Sequence, residues 1–211
     1  MALIVTSPHF EELSMSAIEL FKKRRTQYAL GKNIALSKAE LETLVQDTVR
    51  ETPSAFNSQS SRVVILFGDE SQKLWDTVKD TLRPLVTADQ FPTTAAKIDS
   101  FAAGAGTILF FEDQDVIKGL QEQFALYADK FPVFSANSAG MAQFAVWTDL
   151  ANANIGASLQ HYNPLIDNAV REMWNLPVSW ALSAQMPFGS NEQSASAKQY
   201  IDDEVRFRTF G

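Results

Sequence analysis

The chain has 211 residues with a formal net charge of -7, and 45% of its residues are hydrophobic and 20% charged. These proportions are normal for a globular protein and argue against disorder, while the negative charge disfavours a nucleic-acid partner. The sequence contains no cysteine, which excludes disulfides, thiolate catalysis and iron–sulfur clusters.

Two helices are predicted before the first strand. Ser7-Pro8 is typical of a helix start, and the helix it opens leads to a basic end at Arg24. Apolar residues follow that start at spacings of three and four: Phe10, Leu13, Ala17, Leu20 and Phe21. The second helix begins with a capping-box pattern, Ser37 and Glu40, and should end before Pro53.

The rest of the chain alternates irregularly between strands and helices. Residues 62–67 and 106–111 are β-favouring runs that predict buried strands, with a helix over 74–82 between them. A longer helix over 134–153 is rich in small residues, so we expect it to be central or to lie at a dimer interface. Two further strands are predicted over 179–186 and 205–210. This order predicts an α+β fold, with an antiparallel or mixed sheet flanked by helices, in a single domain spanning 1–211.

Two arginine groups could bind an anion. Arg24, Arg25 and Thr26 offer two guanidinium groups and a hydroxyl within three residues. In a strand Arg206 and Arg208 would project from one face and form a second clamp. The alternatives are a solvated helix end for the first group and a charged, protected edge strand for the second.

Two polar segments could line a flat, polar ligand. The segment 53–60 has no apolar period although it precedes a buried strand, and 155–164 runs from small residues into a polar loop. The alternative for the first segment is an ordinary capping turn, which that segment taken alone would favour. His161 in the second segment invites a catalytic role, but a lone histidine beside Tyr162 and Asn163 is more often a hydrogen-bonded structural residue.

No known nucleotide-binding loop or nucleophile motif is present, and two histidines without cysteines make a metal site improbable. Side chains alone therefore offer little for acid–base or nucleophilic catalysis, and a cofactor would supply what they lack. No apolar run approaches the roughly 18–20 residues of a membrane span. The N-terminal apolar run is also too short for a signal peptide, so we expect a cytoplasmic protein with no membrane partner.

Taken together, the motifs resemble the nitroreductase-like family of FMN flavoproteins, and in particular its short branch of fungal fatty-acid-repression proteins and bacterial stress-induced nitroreductases. The motifs occur in the family's order across nearly the whole chain: Arg24-Arg25-Thr26 with Tyr28 and Leu30, Pro53–Gln59, Gly140-Met141, Val146-Trp147-Thr148, Gly156–Pro164 and Ala184–Gly189. Each motif alone is weak, whereas the set is specific. The resemblance implies a central, mainly antiparallel sheet and an intertwined homodimer with two FMN sites at its interface.

The resemblance also assigns roles to residues. It implies that Arg24, Arg25 and Thr26 hold the ribityl phosphate, with Arg206 and Arg208 completing the grip. The second subunit would lend a segment to the flavin ring, formed by Pro53, Ser54, Ala55, Asn57 and Gln59. Ser158, Leu159 and Gln160 would lie beside the isoalloxazine, and no residue of the chain would be catalytic in its own right.

The chain departs from the family pattern in two ways. Ala55 stands where the broader family often has serine, so the hydrogen bond that a serine side chain would make at this position is not expected here. Ser60-Ser61 replaces the Pro-Trp pair that commonly follows the glutamine, and a long lid insertion is missing. Substrate access is therefore expected to differ from that of the larger nitroreductases.

The activity implied is a ping-pong hydride transfer through FMN, from NADH or NADPH to a small-molecule electron acceptor such as a nitroaromatic or a quinone. One alternative is a flavin-binding regulatory or stress-response protein whose redox turnover is incidental. Another is an interaction module that keeps the fold without the cofactor. The sequence does not distinguish NADH from NADPH, and it does not name the acceptor.

Overall fold

The structure, a computed structural model, describes residues 15–211. The predicted helix start at Ser7-Pro8 lies outside the described residues, as do Phe10 and Leu13. Helix α1 spans Ala17–Lys23, so the prediction of one helix running through residue 16 is wrong. Ser16 is extended (φ -64°, ψ 155°) and forms a capping box with Glu19, and this box starts the helix at residue 17.

The remaining helices and strands follow in chain order: β1 Leu30–Gly31, α2 Lys38–Glu51, β2 Ser61–Phe67, α3 Asp69–Leu82, α4 Phe91–Ala102, β3 Gly106–Asp113, α5 Gln114–Gln123, α6 Phe131–Asn152, β4 Gly156–Ala157, α7 Asp167–Met173, β5 Trp180–Asn191 and α8 Asp203–Arg206. The predicted capping box of α2 is confirmed, because the Glu40 amide donates to Ser37 Oγ at 3.3 Å and the Ser37 amide donates to the Glu40 carboxylate at 2.8 Å. The predicted stop before Pro53 is confirmed as well.

The strands form one sheet in the order β1-β5-β3-β2, with β4 also paired to β5. All pairings between these strands are antiparallel. The predicted combination of helices with a mainly antiparallel sheet is therefore confirmed, and β3 lies at its centre between β2 and β5.

Helices cover both faces of the sheet, which explains the uninterrupted apolar run of β3. Ile108 and Phe110 pack into one core with α2 and α6, whereas Leu109 and Phe111 pack into a second core with α3, α4 and α7. Alternate residues of a strand point to opposite faces, so a central strand needs apolar residues at both. Within residues 15–211, no helix is both long and apolar enough to cross a bilayer.

The C-terminal strand predicted over 205–210 is wrong. The structure has the short helix α8 at Asp203–Arg206 instead, and no part of 205–210 pairs with a strand of the described chain. All residues from 196 to 211 are exposed. A strand needs a neighbour to satisfy its backbone groups, and this segment has none within the described chain.

Candidate cofactor site

The end of α1 lies against strand β4. Thr26 forms a parallel bridge with Ala157, and the Gln27 amide donates to the Ala157 carbonyl at 2.9 Å. Ala157 is followed directly by Ser158, the first residue of the predicted strand-end segment. Two of the predicted site segments, 24–26 and 158–160, are therefore adjacent in one chain.

Arg24 is a half-buried cation stacked on aromatic rings. Its guanidinium carbon lies 4.4 Å from the ring centroid of Trp147 and 5.8 Å from that of Phe144. Burial lowers the pKa of Arg24 and the neighbouring charge of Arg25 lowers it further. An arginine nevertheless stays protonated at neutral pH.

The Nε atom of Arg24 is buried and has no hydrogen-bond partner among the described residues. An unsatisfied buried donor is costly, and a cationic one is best satisfied by an oxyanion. The environment of Arg24 therefore fits a phosphate group.

Beside these residues lies an open cleft of about 580 Å³. One wall is the segment 24–29, and the other is the chain that follows β5, residues 193–198. Arg25 connects the two walls, since its Nη2 donates to the Ser196 carbonyl at 2.7 Å. Lys198 also lines the cleft and adds a third basic side chain.

The segment Ser158–Gln160 is fixed by strand β5. The Ser158 amide donates to the Pro187 carbonyl at 3.3 Å and the Gln160 amide to the Gln185 carbonyl at 2.7 Å. The two side chains are bonded to each other, Gln160 Nε2 to Ser158 Oγ at 3.0 Å. No hydrogen bond within residues 15–211 occupies the Leu159 amide between them. Because successive amides of an extended chain point in opposite directions, this donor faces away from β5.

His161 does not have the hydrogen-bonded structural role that we expected of it. Its side chain is exposed and has no hydrogen-bond partner in the described part of the chain. It lines a separate cleft of about 360 Å³, whose polar wall includes Glu112, Gln143 and Ser183.

The segment Pro53–Gln59, hereafter the 53–59 loop, is a well-defined turn between α2 and β2. Ala55–Asn57 form one turn of 3₁₀ helix. Ser54 closes the loop on itself, because its carbonyl accepts from the Asn57 amide and its Oγ from the Gln59 amide, both at 2.9 Å. The side chains of Pro53, Asn57 and Gln59 are exposed.

Three non-glycine residues of the 53–59 loop have left-handed backbone conformations: Phe56 (φ 57°), Asn57 (φ 49°) and Gln59 (φ 47°). Such conformations cost on the order of 1 kcal/mol or more each, the least at asparagine. The ring of Phe56 is 4.9 Å from that of Phe124 and 5.2 Å from that of Phe131, measured between centroids. These contacts help to maintain a backbone that would not form in isolation.

Within one chain the 53–59 loop and Arg24 lie at different places on helix α6. The Ala55 amide donates to Ser138 Oγ at 3.2 Å, whereas Arg24 stacks on Trp147. Nine residues of α-helix correspond to about 13 Å along the axis and to about half a turn. The two groups therefore face opposite sides of the helix.

Arg206 and Arg208 are not brought to Arg24. Both are exposed, and the contacts described for them are local: the Arg206 guanidinium lies 5.4 Å from the Phe207 ring centroid, and Arg208 Nη1 donates to the Phe207 carbonyl at 2.8 Å. Their predicted part in the phosphate grip is thus not reproduced within the described chain, and it stays a prediction for an assembly of two chains.

No role was predicted from the sequence for two residues that contribute to the site. The Trp147 ring stacks on the Arg24 guanidinium, and its Nε1 donates to the Ala157 carbonyl at 3.1 Å, so Trp147 contacts both segments. Trp147 belongs to one of the family motifs, but the motif did not indicate which residues it contacts. Lys198 was missed because nothing in the sequence around 193–198 indicates that this stretch returns to the N-terminal segment.

In residues 15–211, no group of three or more histidine, aspartate or glutamate side chains is placed to hold a metal ion. Comparison with known proteins points in the same direction as the motifs. The model of the nitroreductase family matches residues 21–190. The putative nitroreductase HBN1 of Saccharomyces cerevisiae is 35% identical over 197 residues, which cover 90% of this chain and 98% of the relative.

Among solved structures, nitroreductase CinD from Lactococcus lactis in complex with chloramphenicol is 49% identical, with a TM-score of 0.86 over 93% of this chain and 100% of that one. A second CinD structure, in complex with 4-nitrophenol, has a TM-score of 0.85 at 49% identity over 93% of this chain and 100% of that one. A putative nitroreductase from Desulfovibrio desulfuricans in complex with FMN shares the fold, with a TM-score of 0.65 at 17% identity over 92% of this chain and 97% of that one.

Proposed function

The chain belongs to the nitroreductase family, and on that premise we propose that it is a homodimeric, FMN-dependent oxidoreductase. It takes electrons from NADH or NADPH and reduces nitroaromatics, quinones or similar electrophiles. The proposal depends on residues 24–26 and 158–160, which lie together in one chain, and on a second subunit for the rest of the site.

One observation carries the proposal more than any other, namely the buried Arg24 Nε, which has no acceptor within residues 15–211. A phosphate in the neighbouring cleft would satisfy that donor, and Arg25, Thr26 and Lys198 line the same cleft. FMN carries such a phosphate at the end of a flexible ribityl chain. The Desulfovibrio desulfuricans protein, which shares the fold, was solved in complex with FMN. The residues present therefore fit the cofactor that the family resemblance implies.

The chain's own contribution to the reaction is binding and polarisation. The chemistry supplied by bound FMN is the transfer of two electrons and a proton from the nicotinamide to the acceptor in two alternating half-reactions. The outward Leu159 amide would donate to the ring and stabilise negative charge on it. No protein side chain is required as a general base, which agrees with the absence of a catalytic triad from the sequence.

A second copy of the chain would complete the site. In one chain the 53–59 loop and Arg24 lie on opposite sides of α6, so the loop faces away from the cleft beside Arg24. The exposed apolar residues of α6, Val133, Met141 and Phe144, offer a surface on which a partner subunit can pack. In that arrangement Pro53, Ser54, Ala55, Asn57 and Gln59 of one chain approach the Arg24 group of the other.

The choice of acceptor follows the relatives. CinD, 49% identical, has been solved with chloramphenicol and with 4-nitrophenol, both of which carry an aromatic nitro group.

An absorbance experiment tests the proposal. The purified protein should be yellow, lose its colour anaerobically with NADH or NADPH, and regain it when 4-nitrophenol or a quinone is added. A colourless protein that cannot be reconstituted with FMN would rule the proposal out. Flavin binding without turnover by any acceptor would favour the regulatory alternative instead.

A further inference from the structure

Glu112 is a buried carboxylate that the proposed mechanism does not use. It lies near the end of the central strand β3 and is only 5% exposed. No cation pairs with it among the described residues. The nearby Arg62 pairs instead with Asp113, with 3.0 Å between Arg62 Nη2 and Asp113 Oδ2. A buried charge without a counter-ion is retained only where hydrogen bonds compensate for its lost hydration.

Three serine hydroxyls provide that compensation. Oε2 of Glu112 accepts from Ser60 Oγ and from Ser135 Oγ, each at 2.6 Å, and Oε1 accepts from Ser61 Oγ at 2.5 Å. Hydrogen bonds to an ionised acceptor are shorter and stronger than those between neutral groups. We name this group, Glu112 with Ser60, Ser61 and Ser135, the serine–carboxylate cluster.

The cluster joins three elements at the end of the 53–59 loop. Ser60 directly follows the loop, Ser61 begins β2 opposite Glu112 in the sheet register, and Ser135 lies in the first turns of α6. The Ser60 carbonyl is held as well, because it accepts from the Asp113 amide at 2.9 Å. The position at which the loop ends is thus fixed from the centre of the sheet.

A second anchor fixes the middle of the loop. Ser138, three residues after Ser135 on α6, accepts from the Ala55 amide at 3.2 Å. Residues three apart lie on one face of a helix, so the two serines hold the loop at two points from the same side. The left-handed residues Phe56, Asn57 and Gln59 lie between these points. Their unfavourable conformation persists because both ends of the span are fixed.

We propose that Glu112 is a positioning residue: through Ser60, Ser61 and Ser135 it sets the conformation in which the 53–59 loop is presented to the cofactor bound by a second subunit. The inference rests on the proposed function for the identity of that cofactor. It also gives a role to Ser60-Ser61, the pair that departs from the family pattern, because a proline and a tryptophan could not donate these two hydroxyl hydrogen bonds.

Two variants weaken the cluster with little change in shape. Glu112→Gln keeps the volume and replaces an ionised acceptor by an amide, and Ser135→Ala removes one of the three donors. Ser71→Ala is a matched control, because Ser71 is also a buried helix serine whose hydroxyl has a single partner, Thr107 Oγ1 at 2.7 Å. It lies in α3, away from the serine–carboxylate cluster. Melting temperatures of the three flavin-free proteins show how much each substitution costs the fold as a whole.

The test measures two properties of each protein. The first is hydrogen exchange at the amides of Ala55, Asn57, Ser58 and Gln59 in the flavin-free dimer, all of which donate hydrogen bonds within or from the loop. The second is the dissociation constant of FMN, measured by quenching of its fluorescence. We expect exchange at these amides to become about tenfold faster in Glu112→Gln and Ser135→Ala, and FMN binding to weaken about three- to tenfold, because one charge-assisted hydrogen bond is lost. In Ser71→Ala both properties should match the wild type.

The outcomes separate the inference from the proposed function. Unchanged exchange in both cluster variants would overturn the inference. Faster exchange together with unchanged FMN affinity would overturn the part that concerns the cofactor. If the wild type binds no FMN while the cluster variants still free the loop, the proposed function fails and the positioning of the loop by Glu112 stands.

Discussion

The two halves of the candidate site differ in how the chain builds them. Residues 24–26 and 158–160 are joined directly by the Thr26–Ala157 bridge, and Trp147 contacts both. The 53–59 loop is equally well anchored, but to the opposite side of α6, where it presents exposed polar side chains. Within one chain, each half of the candidate site is therefore anchored, but the two halves do not meet.

The difference also separates two kinds of anchoring. The Arg24 half relies on backbone pairing and an aromatic platform, and its Nε donor is unsatisfied by any residue of the described chain. The loop half relies on a buried carboxylate and accepts local strain at Phe56, Asn57 and Gln59. Variants that weaken one half at a time show whether both halves contribute to one site.

The largest effect is expected at Arg24. Arg24→Ala should weaken FMN binding about 100-fold, because the phosphate loses its buried, charge-assisted donor. Arg206→Ala should weaken it less, and the double variant should lose FMN with little loss of fold, since neither residue supports the core. Fluorescence titration and circular dichroism measure the two properties.

Arg83→Ala is the matched control for Arg24, because Arg83 also stacks on an aromatic ring, 4.2 Å from the centroid of Phe91. It should bind FMN like the wild type. A double variant of Arg24 and Arg206 that retained its flavin would contradict the assignment of the phosphate site.

A smaller effect is expected at Trp147. Trp147→Leu removes the platform of Arg24 and one of the two donors to the Ala157 carbonyl, so FMN should bind about tenfold more weakly. Trp147→Phe keeps a ring under the guanidinium, and the Gln27 amide still donates to Ala157, so its effect should be small. Equal losses in the two variants would indicate that the indole N–H, and not the platform, matters.

The smallest effect concerns Tyr162, in the segment that follows Gln160, and the pH dependence of the free energy of unfolding. Burial, and to a lesser extent the neighbouring Tyr28, raises the pKa of Tyr162 to about 12 from an ordinary value of 10.0. Below pH 10 the phenol is neutral in both folded and unfolded chains and has no effect on the pH dependence. Between pH 10 and about 12 the unfolded chain releases this proton and the folded chain retains it, so the free energy of unfolding should fall as pH rises.

Ultraviolet absorbance of the ionised phenol measures that shift. One of the four tyrosines should titrate near pH 12, and Tyr162→Phe should remove this step. If Tyr162→Phe instead removes a step near pH 10, the pKa of Tyr162 is not raised by burial in the folded chain.

Much of the fold could be predicted because its signals are local. The apolar run of β3 and the capping box of Ser37 and Glu40 depend on neighbouring residues, and both were confirmed. Helix α4 was not predicted, although Pro92 stands near its start, because only three of its residues, Phe91, Ile98 and Phe101, are large and apolar. The strand predicted over 205–210 was wrong because alternation of side chains does not supply a partner strand.

The site was predicted in part, and for a related reason. The motifs at 24–26 and 158–160 were recognised, and their contact in space agrees with a shared role. The left-handed conformations at Phe56 and Gln59 have no glycine to indicate them. The serine–carboxylate cluster joins residues up to 75 positions apart (from 60 to 135), and no local pattern reveals such a contact.

The central claim is that each site takes Arg24 from one chain and the 53–59 loop from the other. We would mix Arg24→Ala with a loop variant carrying Ser54→Ala and Asn57→Asp, let the chains exchange, and count the FMN bound where either variant alone binds almost none. Random pairing gives mixed dimers in half of the molecules, each with one site free of both changes, so about a quarter of all sites should bind FMN. If each chain builds its own site, the mixture should bind no more FMN than the two variants do separately, and that result would contradict the account.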